Sequence, residues 1–426
     1  MTCGRAMGVL AARQETRVRL GLARMRRVLA RLGEPQEAAP AIHVAGTNGK
    51  GSVCAMLDRV LREAGLRVGL YTSPHLHEIG ERIRVDGRRT SPRVLGRLIG
   101  RVLAAETEPL TYFELLTAAA FLHFRDARVD VAVLETGLGG RLDATNVVRR
   151  PLACVVPAIG LDHTDWLGST LRAVAREKGG IFKRDVPALT AEEKPAALAE
   201  LRACARRTGA RWRPLPRRLG WRLAGTDWAR GSQTVSRTGG RRLRIGLLGA
   251  AQLRNAALVA ETAAALREAG LRVPEGAVLR GLARVRWPGR FELLRRGGKL
   301  AILDGAHNPQ AMDQFCRTLR ASPWADEPKV FVVGMLRDKD YRSMLRRLAP
   351  LVEKAVVTRP ASPRALDPER LARELRAAAP WAEVRVLPEP AQALESWLGN
   401  GMAVACVVGS FYLVGAARAA LKGGAA

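Results

Sequence analysis

"IHVAGTNGKGSVCAMLDRVLREAG", residues 42–65, passes from a short apolar run through a glycine-rich break and straight back into helical spacing. A strand that ends in such a turn and feeds a helix aims several backbone N–H groups at one point, where the positive end of the helix dipole also lies. That point suits phosphate. Gly46, Gly49 and Gly51 let the backbone approach a phosphate chain, Lys50 supplies a point charge, and Ser52 offers an oxygen to a magnesium ion. The spacing is not the common one: a Walker-type loop reads GxxxxGK[ST], whereas here Gly51 follows Lys50 and the hydroxyl comes one place later. The bland alternative, a strand-to-helix turn that binds nothing, leaves the lysine and the hydroxyl unexplained.

Outward from this stretch, strand-like runs such as "VDVAVLETG" and "ACVVPAIG" alternate with helical ones such as "FELLTAAAFLHF", which argues for a mostly parallel α/β sheet. The patterns predict an amphipathic helix at 17–32, a strand at 41–45, a helix at 52–64 and a strand at 67–74. Helices at 91–106 and 112–126, strands at 129–136 and 153–160, and a helix at 170–183 follow. Short antiparallel strands are expected over 211–247, then helices at 250–270 and 275–285. "RWPGR", 286–290, breaks the pattern as a linker would. Beyond it, strands near 299–304, 329–334, 354–358, 384–387 and 402–408 alternate with helices and predict a smaller α/β domain over 291–426. At 426 residues the chain has length for two or three domains.

The formal net charge is +30, which invites a nucleic-acid reading. Nine lysines leave 61 of the 70 basic residues as arginine, spread along the chain without an arm or a dense basic run. Aromatic residues make up only 5%, too few for a series of stacking platforms. A composition-wide arginine bias, or a basic cleft for small anions, explains the charge better. The six cysteines, Cys3, Cys54, Cys154, Cys204, Cys316 and Cys406, show no metal-ligand spacing and read as reduced packing residues, which points to the cytoplasm. The N-terminus has too short an apolar stretch for a signal peptide, and the uncharged run at 397–417 carries glycines that favour a buried strand over a membrane span.

Further chemistry-bearing stretches sit where strands end, the ligand side of an open parallel sheet. "YTSPH" puts the Ser73 hydroxyl at one tip, although on its own a turn-forming Ser-Pro is the default explanation. Glu135 ends the apolar strand of "VLETGLGGRLDATN"; a carboxylate there needs a metal or a cation, magnesium or Arg141. "IGLDHTDWLGSTLRAVAREKGGIFK" brings Asp162, His163 and Asp165 to a third strand end, with Lys178 one helix later. Beyond the linker, "LDGAHNP" presents Asp304, His307 and Asn308, and "VVGSFYLVG" presents Ser410. Two sheets whose strand ends meet around a substrate would exclude water from a reactive intermediate, as a ligase requires.

At these residues the sequence resembles the folylpolyglutamate synthase and dihydrofolate synthase family, within the Mur ligase superfamily. The resemblance covers roughly residues 17–420 and rests on "HVAGTNGKGS", "LYTSPHL", "ERIRV", "LTYFE", "GLGGRLDATN", "GLDHTDWLG", "REKGGI", "WPGRFE", "DGAHNP", "GMLRDKD" and "GSF", in the family's order. It implies a P-loop ATPase domain over 1–285, a linker at 286–290 and a Rossmann-like domain over 291–426. It also implies ATP-dependent addition of L-glutamate to dihydropteroate and to folates through an acyl phosphate, by a cytoplasmic monomer without nucleic-acid or membrane partners.

By the same resemblance Gly49, Lys50, Gly51 and Ser52 hold the ATP phosphates. Ser73, Glu135 and His163 bind magnesium, at two sites in all, and Lys178 is the family's carbamylated lysine. Asn255 contacts the base, Arg290 the terminal phosphate and Asp304 the ribose, with His307 beside it. The pterin lies along Leu20, Gly21 and Leu22, along Thr111, Tyr112, Phe113 and Glu114, and along Leu142, Asp143 and Ala144. Ser410 meets the incoming glutamate. The chain departs from the family at Thr136, at Pro157-Ala158, in "EKGG", in "AAQLRN" and at Arg19, where at least some dihydropteroate-accepting members carry an acidic residue. Two rival readings are a Mur-type ligase acting on a UDP-linked precursor and a nucleic-acid-binding P-loop protein.

Overall fold

The computed structural model describes residues 2–13, 19–399 and 401–423. By its internal contacts the chain forms two compact units, Met1–Gly220 with Arg254–Val285, and Trp221–Leu253 with Arg286–Ala426.

The first unit is built on an eight-stranded sheet of β1 (Ala41–Val44), β2 (Val68–Tyr71), β3 (Ile83–Val85), β4 (Arg88–Arg89), β5 (Val131–Glu135), β6 (Ala153–Val156), β7 (Pro187–Thr190) and β8 (Arg211–Pro214). Their spatial order is β4-β3-β2-β5-β1-β6-β7-β8. From β2 to β8 the pairings are parallel, and only β3 and β4 run antiparallel at one edge. Every residue of β1, β2, β5, β6 and β7 is buried, the continuous apolar signature of strands covered on both faces. β1 lies between β5 and β6, in register Val44↔Glu135 and Val44↔Val155, so the chain leaves the sheet at its centre into the glycine loop. The helix Lys50–Glu63 then packs so closely on the helix Glu275–Arg284 that a Cβ on Gly281 would lie 2.5 Å from Val60 Cα.

The strand expected from residue 211 differs from the forecast. Arg211–Pro214 pairs parallel with β7, Arg211 N donating to Val186 O at 2.9 Å and Leu215 N to Thr190 O at 2.7 Å. It follows the helix Pro195–Thr208, and a strand, helix and strand in one sheet close as a parallel crossover. Four residues reading Arg-Trp-Arg-Pro carry too little alternation to reveal this. The first helix of the 17–32 segment also starts late, at Ala23, because Gly21 has φ +129°; residues 17 and 18 fall outside the described residues.

The second unit contains a three-stranded antiparallel sheet, β9 (Trp221–Asp227), β10 (Ser232–Arg237) and β11 (Arg242–Ile245). It also contains a six-stranded sheet of β12 (Glu292–Arg296), β13 (Lys299–Asp304), β14 (Lys329–Val333), β15 (Lys354–Val357), β16 (Glu383–Val386) and β17 (Val404–Val408). The order is β12-β13-β17-β14-β15-β16, with β12 antiparallel and the rest parallel. The antiparallel sheet was forecast as part of the first domain, but its contacts assign it to the second unit. Trp228 packs edge-on to Trp324 at 5.6 Å and against Phe291 at 6.1 Å, half-buried against that unit's core.

Candidate active site

In the first unit the glycine loop is fixed from below by Thr47. Thr47 N donates to Ala158 O at 2.8 Å, and its hydroxyl bonds both Gly160 O, at 2.9 Å, and Gly160 N, at 3.0 Å. The loop is therefore stitched to the segment after β6. Gly49 caps the helix at φ +86°, a conformation that favours glycine, and a Cβ there would meet Asn255 Oδ1 at 2.9 Å and Pro157 Cβ at 3.0 Å. This brings Asn255 against the loop. Lys50 Nζ donates to Gly46 O at 2.9 Å and Thr47 O at 3.3 Å, so its charge stays within the loop. Ser52 is buried in the first turn of the helix.

Glu135, at the end of β5, is 3% exposed and accepts from Ser73 N at 3.3 Å. The Ser73–Pro74 peptide bond is cis. Burial, then the Glu135 carboxylate, push the neighbouring Cys54 thiol well up, while Lys50 opposes; Glu135 and Lys50 thus act on one small volume. Lys178 is 4% exposed, and burial, followed by repulsion from Lys50, lowers it to about 7 against the attraction of Asp162, Asp143 and Glu177. A buried amine with another lysine beside it is poorly placed to stay protonated. His163 sits apart from these in exposure. Its backbone is left-handed at φ +53°, its side chain is 37% exposed, and Nε2 is 3.9 Å from Asp162 Oδ1.

The residues tied to the pterin by resemblance have local duties too. Thr111 and Glu114 close a capping box on the helix Tyr112–Asp126: Glu114 N donates to Thr111 Oγ1 at 3.2 Å and Thr111 N to Glu114 Oε2 at 2.7 Å. Arg24 pairs with Glu114 at 3.0 Å and donates to Arg19 O at 2.8 Å, so the Leu20–Leu22 segment is tethered to that helix start. Leu20 is 41% exposed. Tyr112 is buried, with Arg82 5.3 Å over its ring. Phe113 lies on the Gly137 turn, where a Cβ would come within 2.6 Å of its ring. Asp143 is buried between Leu142 and Ala144, and its carboxylate accepts from Gly137 N, Leu138 N, Thr145 N and Thr145 Oγ1 at 2.5–3.0 Å.

A buried polar chain lies beneath this turn, and the sequence reading did not single it out. Thr145 Oγ1 gives its proton to Asp143, so the 2.8 Å contact with His43 must have His43 Nε2–H as donor. Burial takes His43 down to about 3 and keeps it neutral. A histidine inside the apolar run Ala-Ile-His-Val was the available signal, as was the Thr47 hydroxyl inside the glycine loop.

The second unit gathers its own cluster at the end of β13. Asp304 accepts from Phe291 N at 2.9 Å and Ala306 N at 2.8 Å, and burial raises it to about 6 against the pull of Arg290. Arg290 lies 4.5 Å over the Phe411 ring, and His307 is 5.2 Å from that ring with Nδ1–H donating to Gly305 O at 2.8 Å. Ser410, 1% exposed, accepts from Leu413 N at 3.1 Å and caps the helix Phe411–Leu421.

Among the described residues no three His, Cys, Asp or Glu side chains converge as a metal centre. The donors at the strand ends are hard oxygens, the Glu135 carboxylate and the Ser52 and Ser73 hydroxyls. That set fits a magnesium ion which completes its shell with water and phosphate.

A glycine-rich strand-to-helix loop with Lys50, a buried carboxylate at the end of β5 and a desolvated lysine in one unit built on a parallel sheet accord with a Mur-type ligase. Residues 44–192 match the Mur ligase middle domain and residues 289–411 the Mur ligase, glutamate ligase domain. The dihydrofolate synthase/folylpolyglutamate synthase of Escherichia coli is 37% identical over 362 residues, covering 84% of this chain and 81% of that protein. The chain belongs to the dihydrofolate synthase/folylpolyglutamate synthase family. The solved structure of E. coli FolC in complex with DHPP and ADP superimposes with a TM-score of 0.86 at 34% identity, covering 99% of this chain and 98% of that one. The bifunctional Yersinia pestis enzyme complexed with AMPPNP and Mn ion gives 0.83 at 32% identity, covering 99% and 98%. Some relatives are far longer: the chain spans 42% of a probable bifunctional folylpolyglutamate synthase/dihydropteroate synthase of Haloferax volcanii.

Proposed function

We propose that this chain is an ATP-dependent acid–amino-acid ligase that joins L-glutamate to dihydropteroate and to reduced folates. The observation that supports the reading is that Lys50, at the start of the helix after β1, acts both on Cys54 together with the Glu135 carboxylate and on the buried Lys178. A carboxylate is a poor electrophile because its leaving group would be oxide. Its oxygen therefore attacks the γ-phosphorus of ATP, the bond to ADP breaks, and an acyl phosphate forms. The glutamate amine then attacks the acyl carbon, phosphate leaves, and the amine's proton passes to solvent.

Gly49, Lys50, Gly51 and Ser52 would cradle the phosphates, with backbone N–H groups at the helix start and the Lys50 charge meeting the γ-phosphate as charge gathers on it. Magnesium, when bound, would neutralise the remaining phosphate charge, held by Glu135, Ser73 and His163, with Ser52 on the nucleotide side and a second ion as the family implies. The desolvated amine of Lys178 suits the carbamate the family resemblance implies: its nitrogen would bond to carbon dioxide and lose a proton, giving a buried anion to offset Lys50 and the metal. Asn255, Arg290, Asp304 and His307 would serve the nucleotide. Leu20–Leu22, Thr111–Glu114 and Leu142–Ala144 would line the pterin, and Ser410 would meet glutamate. Because the polar atoms of Thr111, Glu114 and Asp143 already serve the backbone, they would shape the pterin site through Phe113 and through exposed turn atoms.

A substrate panel read by mass tests the assignment: dihydropteroate and tetrahydrofolate, each with ATP, magnesium and glutamate. Formation of ADP and of a product heavier by one glutamyl residue is expected with at least one pterin. No turnover with either at saturating ATP rejects the reading.

A further inference from the structure

Beyond the carboxyl ends of β6 and β7 lies a buried carboxylate with no part in the roles assigned above. Glu192, 4% exposed, stands just after β7; its peptide N–H donates to Thr190 Oγ1 at 3.1 Å, and that hydroxyl donates to Val156 O at 2.7 Å. Glu192 Oε1 accepts from Glu193 N at 3.0 Å and from Lys194 N at 2.7 Å, at the entry to the helix Pro195–Thr208. The other oxygen goes beyond this local duty: Oε2 accepts from Ile159 N, in the segment that follows β6. Lys194 completes a clamp. Its Nζ donates to Ile159 O at 2.6 Å and lies 3.6 Å from Glu192 Oε1.

Two successive residues are thus pinned by both of their peptide groups. Ile159 is held by Glu192 and Lys194, and Gly160 by the Thr47 hydroxyl of the glycine loop. From there the chain turns through Leu161 and Asp162 to His163, whose peptide N–H donates to Asp162 Oδ1 at 2.9 Å. Leu161 and His163 are exposed, so the buried pair before them largely sets where this tip stands. A carboxylate is costly to bury unless its oxygens are occupied, and here three peptide N–H groups and an ammonium occupy them. The helix entry uses one oxygen; the second serves only the turn that carries His163.

We propose that Glu192 is a positioning residue for the metal: through Ile159 and Gly160 it fixes where His163 presents its imidazole, while touching neither ion nor substrate. The part of His163 as a magnesium ligand rests on the ligase reading above. Groups that orient a metal ligand are worth about 10–100-fold in metal affinity when they are removed.

Glu192→Gln isolates the clamp, because an amide has a single acceptor oxygen. With that oxygen turned to Glu193 and Lys194, where two donors wait, the NH2 group faces the Ile159 N–H; the clamp opens and the helix entry is kept. Manganese(II) is titrated into the full chain at saturating ADP and read by the electron paramagnetic resonance of the free ion. It should bind about tenfold more weakly in Glu192→Gln than in the wild type, and KM for magnesium should rise by more than kcat falls. A group that served the fold alone would lower Tm and leave the metal affinity of the folded protein as it was. Lys194→Met, which removes a half-buried ammonium, is a milder variant whose manganese affinity should also fall, and it decides the question if Glu192→Gln does not fold. His163→Ala separates the two levels of the argument. Wild-type manganese affinity in His163→Ala removes that histidine from the metal and overturns the inference with it. A loss in His163→Ala beside unchanged affinity in Glu192→Gln, or in Lys194→Met where the first does not fold, overturns the inference alone.

Discussion

Replacing Lys178 by methionine removes a cation from a place that disfavours it. The group ordinarily titrates at 10.5, and burial together with Lys50 brings it to about 7. Each unit of displacement corresponds to about 1.4 kcal/mol, so the folded state carries a penalty of about 5 kcal/mol when the pH is low enough for the lysine to be protonated in both states. Between about 7 and 10.5 the unfolded chain keeps a proton that the folded chain has released, so raising the pH favours folding across that window. Methionine has no such dependence. At neutral pH the variant should be the more stable protein, and its lead should shrink by about 2 kcal/mol as the pH is raised by about two units. Urea unfolding of both proteins in carbon-dioxide-free buffer, without nucleotide or metal, measures the difference. A stability gap that stays flat with pH would refute the buried, neutral amine and with it the physical case for carbamate formation.

Glu135→Gln should fold normally yet lose at least about a thousandfold in turnover, because an amide cannot anchor the metal as a carboxylate does; wild-type kcat in that variant would remove Glu135 from the site. Lys178→Ala should be partly rescued by short carboxylic acids that replace the carbamate, with rescue read as recovered ADP release, and none at any acid concentration would argue against a carbamate. Gly49→Ala should cost about 1–2 kcal/mol from the left-handed backbone alone. Its new Cβ would also press on Asn255 and Pro157, so both Tm and ATP affinity should fall, and neither falling would mean that the loop is not held as described. Duplex DNA should bind weakly, with a salt slope far below the roughly 0.9 per neutralised phosphate of a built interface, and a steep slope would show that the +30 charge is organised after all.

What was legible in the sequence follows from how locally each feature is determined. The strand, glycine turn and helix around Lys50 are dictated by residues within one short stretch, and short apolar runs such as Val131–Leu134, rich in β-branched valine and bounded by a glycine turn, favour strands buried on both faces. The placement of β9–β11 could not be read in this way. It depends on Trp228 finding Trp324 and Phe291, partners far along the chain, and no local pattern encodes that choice. β8 is the intermediate case, since its direction is set by the preceding helix and by a backbone register with β7 that its own side chains do not advertise.

The candidate site divides along a similar line. Lys50 could be singled out because a lysine inside a glycine-rich strand-to-helix turn has few structural excuses, and Glu135 because a carboxylate at the end of an apolar strand has as few; burial is what gives such a charge its leverage. Thr111 and Glu114 are different: "TYFE" at a helix start is at once a family motif and a capping box, and the hydrogen bonds show the second role occupying the very atoms the first would need. Asp143 shows the same conflict, with four donors already on its carboxylate, and the His43–Thr145 pair beneath it holds that arrangement from inside the sheet. On the proposed reading, recognition of the pterin would fall to ring faces and backbone atoms set by these buried polar groups. A substitution at Thr145 should accordingly raise KM for the pterin more than it lowers kcat, and serine, which keeps the hydroxyl, should restore what valine loses.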